Sequence, residues 1–200
     1  MSTPASNAPV WTQRLEVRSY DVDFTRRATS VSVCRYFLDA AWNHAEALGV
    51  GFAHLAAQER FWVLSRLRIE FERRPDWGEA FVLRTWPRGI KSVFALRDFE
   101  LTDDAGSRLA AGTSAWLVVD LTTKRPQRLH RLMPGLSEMN GPSALGRDPE
   151  KLPDGEAGDE AFSAPVRYTD LDVNRHVGIS GYVAWLLDAY PPGFHGQHGL

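Results

Sequence analysis

Apolar residues change their spacing twice along the chain. Across "SVSVCRYFLDAAWNHAEALGVGF" they fall at Val33, Phe37, Ala41, Ala45 and Leu48, the three- and four-residue rhythm of a helix, with Gly49 as its stop. Ahead of it, "TQRLEVRSYDVDF" reads as a strand running into a loop. From Phe61 the rhythm becomes two: Val63, Ser65, Leu67, Ile69 and Phe71 alternate with Arg66, Arg68, Glu70 and Glu72, predicting one strand face. "EAFVLRTWPRG", "KSVFALRDFELTDDAGS" and "RLAAGTSAWLVVDLTTKRPQRL" continue as strands, with turn chemistry in "DDAG" and "TTKRP".

One long helix followed by four long strands can bury its apolar stripe if the antiparallel sheet curls around it. The expected fold is therefore α+β, the hotdog arrangement, over residues 11–132. Residues 133–160 are rich in Pro, Gly and acid without periodicity and read as a linker. Residues 161–200 then repeat the opening of the chain. Val17–Ala40 set over Val166–Ala189 needs no gap and gives eight identities in 24 positions. This predicts an internal duplication, hence a tandem hotdog. The second copy holds only a strand, a loop and a helix ended by Pro191 and Pro192, so it reads as truncated, with no sheet to cover Ile179, Tyr182, Val183 and Leu186. Such a stripe points to a partner surface, including a homodimer.

Composition narrows the function classes. The 200 residues carry 24% charged and 44% hydrophobic side chains and a formal charge of −2, without any Lys/Arg-rich run, so no nucleic-acid partner is expected. No apolar run reaches membrane-spanning length, and Cys34 is the only cysteine; both point to the cytoplasm and to no membrane partner.

Candidate chemistry gathers in "YTDLDVNRHVG", Tyr168–Gly178. Asp170, Asp172, Asn174 and His176 occupy every second position and would share one face of an extended segment. At the start of a helix they lie beside free backbone N–H groups that can hold an oxyanion. His176 can serve as general base, Asn174 can position a carbonyl or a water, and Asp172 can orient either; together they suit acyl transfer to water. The same residues could simply cap the helix. A calcium loop fails, because Arg175 and Gly181 stand where Gly and Glu are needed, and no metal is expected. Trp42, Phe61, Trp62, Trp86, Phe94 and Trp116 could line an acyl tunnel or form ordinary core. Cys34 and His44 read as buried or surface helix positions.

"WVLSRLRIEFERRPDWGEAFVLRTWP", "FALRDFEL" and "TSAWLVVDLTTKRPQRL" resemble the first hotdog of the plant and bacterial acyl-ACP thioesterases, and "YTDLDVNRHV" with Tyr182 and Trp185 resembles the opening of their second. The resemblance implies hydrolysis of fatty acyl thioesters on acyl carrier protein, with water as nucleophile and no cofactor. It maps the catalytic set onto Asp172, Asn174 and His176, and the acyl chain chiefly onto the first repeat, where Phe37, Trp62, Trp86, Phe94 and Trp116 are the candidates. The chain departs from the family at Gly178 and Ile179, where two asparagines are usual. A non-catalytic acyl-binding or carrier-binding protein is the alternative.

Overall fold

The computed structural model describes residues 9–153, 155 and 163–198. Thr29 opens the long helix: its hydroxyl accepts from the Ser32 N–H at 3.0 Å, satisfying one of the free amides of the first turn. The helix, α1, runs over Ser30–Ala47, and Gly49 ends it in the left-handed region at φ 70°. A single turn, α2 (Phe52–Ala56), leads into the sheet.

Five antiparallel strands, β1 (Trp11–Glu16), β2 (Arg60–Phe71), β3 (Ala80–Lys91), β4 (Phe94–Thr102) and β5 (Arg108–Asp120), lie in the order β1-β3-β4-β5-β2. Every strand expected in the first repeat is present. The inward residues Phe81, Leu83, Phe99, Leu101, Leu109 and Ala110 close over Val33, Phe37 and Ala40 of α1. Phe37 stacks on Phe99 at 4.5 Å with the rings 4° from parallel. A Cβ on Gly112 would stand 2.6 Å from the Phe37 ring and 3.1 Å from Arg68 O. Glycine is what lets β5 approach the helix here. This is the hotdog fold.

Strand β2 departs from the expected alternation. Leu64 pairs with Trp116 and Arg66 with Ala115, leaving Ser65 as an unpaired extra residue. That bulge reverses the pleat, so Trp62 and Leu64 share a face with Leu67 and Ile69, while Val63 and Ser65 leave it.

The expected linker is strapped down over much of its length. α3 (Leu129–Leu132) and α4 (Pro134–Ser137) are single turns, followed by a segment held to the sheet. Trp86 Nε1 donates to Pro142 O at 2.8 Å, Asp98 accepts from the Ala144 N–H at 2.6 Å, and Arg88 reaches Asp148 at 2.8 Å. Polar outward side chains thus anchor a stretch that has no period of its own. Residues 156–162, the end of the expected linker and the start of the expected second domain, lie outside the described residues.

In the second repeat the expected strand is replaced by irregular chain at 163–167 and a 3₁₀ turn at Tyr168–Asp170. In the first repeat the corresponding segment pairs with β3; here Val166 is exposed and no strand lies alongside it among the described residues. Helix α5 (Ile179–Asp188) packs against α1, and α6 (Pro192–His198) follows.

Gly112→Ala is expected to lower unfolding free energy by about 1–3 kcal/mol through overpacking against Phe37. Gly135→Ala, where a Cβ meets nothing within 4 Å, should be near neutral. Urea melts of the two variants check this; equal stabilities would refute the packing account.

Candidate active site

Asp172 organises the second-repeat loop. Its Oδ1 accepts from the backbone N–H of Asn174 at 2.8 Å and of His176 at 3.1 Å, while its own N–H donates to His176 O at 2.8 Å. Arg175 sits at φ 59°, and Leu171 bridges Val177. The loop is therefore a closed turn, and the expectation of one extended face is corrected: Asp172 points inward to the backbone as a turn cap. The first repeat builds the same turn. Asp23 accepts from the Thr25 N–H at 2.8 Å, its N–H donates to Arg27 O at 3.1 Å, Arg26 lies at φ 63°, and Val22 bridges Ala28. Helix α1 begins at Ser30 and α5 at Ile179, positions that coincide in the repeat. The duplication is thus visible in the backbone geometry and in the Asp cap that the two turns share.

The two turns differ in surroundings. In the first, Arg74 donates to Asp23 at 2.9 Å, and the Ala28 and Trp77 amides bond across the β2–β3 loop. The second turn faces a cavity of about 620 Å³, and Asp172, Asn174 and His176 all line it. His176 lies beside Phe61, ring centres 6.2 Å apart. At the start of α5, the Gly181 and Tyr182 amides return to Gly178 O at 2.8 and 3.4 Å; Ile179 and Ser180, whose amides precede them, are also on the cavity wall.

Most of the remaining wall comes from the first repeat, including Leu38, Ala41, Trp42 and Ala45 of α1, Phe61 to Leu64 of β2, and Trp116 of β5. Of the residues expected to hold an acyl chain, Trp62 and Trp116 are on it. Phe37 is not, because its ring is enclosed between α1 and Phe99. Trp86 is turned to the outer face under Gly141 and Pro142, and Phe94 lies beneath the Arg66 guanidinium at 4.9 Å. Trp86 falls in phase with exposed Arg84 and out of phase with the inward Phe81 and Leu83 of β3.

The wall also holds a buried charged side chain, Arg97 of β4. Arg97 Nη1 donates to His44 Nδ1 at 3.0 Å and to Thr85 Oγ1 at 3.2 Å; Ser114 donates to Arg97 O at 3.0 Å and accepts from Trp116 Nε1 at 2.8 Å. The available signal was the alternation Ala95, Arg97, Phe99, Leu101, which places a charge on the apolar face of β4. Burial, and then the Arg97 charge, push His44 down to about 4. Burial raises the Cys34 thiol to about 11, which makes it an inert core residue. Among the described residues no group of three or more His, Cys, Asp or Glu could hold a metal ion.

Known proteins bear on this geometry. Residues 8–133 match the model of the acyl-ACP thioesterase N-terminal domain, and residues 156–200 that of the acyl-ACP thioesterase C-terminal domain. The chain belongs to the acyl-ACP thioesterase family. It is 27% identical over 195 residues to a chloroplastic palmitoyl-acyl carrier protein thioesterase of Gossypium hirsutum, covering 91% of this chain and 47% of that one. The oleoyl-acyl carrier protein thioesterase 1 of Arabidopsis thaliana is 27% identical over 205 residues, covering 94% and 57%. The chain thus spans about half the length of the curated relatives it matches. An acyl-ACP thioesterase from Bacteroides thetaiotaomicron superposes with a TM-score of 0.77 at 27% identity, covering 94% of this chain and 76% of that chain. The 12:0-ACP thioesterase from Umbellularia californica gives 0.74 at 25%, covering 92% and 76%.

In this thioesterase-family chain, His44 makes stability depend on pH. Its folded value lies below the ordinary 6.5, so the unfolded chain takes up a proton first as pH falls. The stability it contributes is full above about pH 6.5 and is lost between 6.5 and about 4, amounting to about 3 kcal/mol. Comparing urea melts across that range, His44→Asn should show a shallower loss than the parent. Parallel curves would contradict the assignment.

Proposed function

We propose that the protein is an acyl-acyl carrier protein thioesterase, releasing a free fatty acid from its carrier in fatty acid biosynthesis. The observation that carries the reading is the shared cavity: apolar residues of the first repeat and the Asn174–His176 turn of the second line one space. Residues 11–132 serve as the acyl-binding domain, and 161–200 bring the catalytic motif.

In this mechanism His176 removes a proton from water as the water oxygen attacks the thioester carbonyl carbon. Asn174 positions the carbonyl, and the backbone amides of Ile179 and Ser180 at the start of α5 receive the developing oxyanion. The C–S bond then breaks, and the proton passes to the departing carrier thiolate. Asp172 acts through the turn, fixing the backbone of both neighbours. No cofactor enters the scheme. No helix among the described residues is long and apolar enough to cross a membrane, and the proposed compartment is the cytoplasm; the plant relatives are named chloroplastic.

Of the expected stripe on α5, Ile179 and Val183 are half-buried, since the helix packs against α1, while Tyr182 and Leu186 stay exposed. That exposed pair supports a homodimer, which sedimentation equilibrium would show as a doubled mass, and a monomer at all concentrations would refute it. For the chemistry, His176→Ala and Asn174→Ala should each lower acyl-carrier hydrolysis by about 10²–10⁴-fold, measured as release of the carrier thiol. Acyl-carrier binding without turnover in the parent would instead favour a non-catalytic carrier-binding protein.

A further inference from the structure

One charge interrupts the apolar wall of the cavity. Arg97 is only 8% exposed, yet it lines that space. Both of its side-chain hydrogen bonds leave from Nη1, and both end on neutral acceptors, His44 Nδ1 and Thr85 Oγ1. Neighbouring Asp98 is on the opposite face of β4, engaged by Arg88, Thr113 and the Ala144 amide. Among the described residues no carboxylate forms an ion pair with Arg97.

A guanidinium carries five N–H donors in a planar fork and suits oxygen acceptors. Burial lowers Arg97 only to about 10, so it stays cationic at neutral pH, whereas His44 beside it is neutral. Arg97 is therefore a positive group on the cavity wall with no carboxylate partner among the described residues. Taking water from such a group without returning a hydrogen bond is costly, and a chain of pure hydrocarbon offers it no acceptor.

We propose that Arg97 is a specificity-determining residue whose guanidinium binds an oxygen substituent on the acyl chain, a hydroxyl, keto or carboxylate group. The cavity then prefers an oxygenated chain to a plain one of equal length, because a plain chain strips water from the guanidinium and returns no hydrogen bond. The inference rests on the acyl-cavity reading above and specifies its substrate class.

The test is calorimetric binding of non-hydrolysable acyl-pantetheine amides of one length to the full chain. The panel is an unsubstituted chain and chains carrying a 3-keto, 3-hydroxyl, mid-chain hydroxyl or terminal carboxylate group. At least one oxygenated chain should bind about tenfold or more tighter than the plain one. Arg97→Met should bring the two within about twofold, and Arg97→Lys should keep part of the preference. Equal binding of all chains by the parent overturns the proposal, as does a preference that survives Arg97→Met. Should Arg97→Met fail a thermal-melt check for folding, Arg97→Lys and the parent panel decide. Binding of no chain at all overturns the acyl-cavity reading together with this proposal, and so is distinct from equal binding.

Discussion

The contact between Phe37 and the β5 backbone at Gly112 sets the distance between helix and sheet, and the cavity follows from that distance. Near the start of α1, Val33 and Phe37 fill the space beneath Phe81, Phe99 and Leu101. Two turns further on, the helix presents Ala41 and Ala45 to the same sheet. With the separation fixed by an aromatic ring, alanines cannot reach across, and the space they leave is lined by Trp62, Leu64 and Trp116. The Ser65 bulge matters for the same reason, because it turns Trp62 and Leu64 toward this volume.

Duplication gave the chain two turns of the same backbone form, and their surroundings separate them. The first is locked by the Arg74–Asp23 ion pair and the amides of the β2–β3 loop, with Thr25 and Arg27 at the positions that matter. The second carries Asn174 and His176 in those positions and borders the cavity of the first repeat. One backbone device therefore serves as a structural clasp in one place and presents Asn174 and His176 to a cavity in the other.

Much of this was legible in the sequence. Period-two and helical spacing located α1 and all five strands, because each buries one face against a common core. The repeat located the second turn. The extended-face reading of Asp170 to His176 missed the turn because period two describes spacing and not backbone direction, and the deciding feature, Arg175 in the left-handed region, has no side-chain signature. The alternation of Val63 and Ser65 failed at a single inserted residue. Phe37, Trp86 and Phe94 resemble Trp62 and Trp116 in composition, and only the pleat and the covering segment at Gly141 divide core and outer face from cavity. Arg97 was visible as a charge in an apolar register, but its meaning depends on His44 and Thr85, distant in the chain.

The central claim is that one space holds the acyl chain and delivers its carbonyl to the second-repeat turn. A crystal structure with a bound non-hydrolysable acyl-pantetheine amide tests it most directly. The account predicts the chain lying along Ala41, Trp62 and Trp116, with its carbonyl oxygen within hydrogen-bond distance of Asn174 or the amides at the start of α5. A chain bound elsewhere, or bound there with its carbonyl turned away from Asn174 and His176, would contradict it.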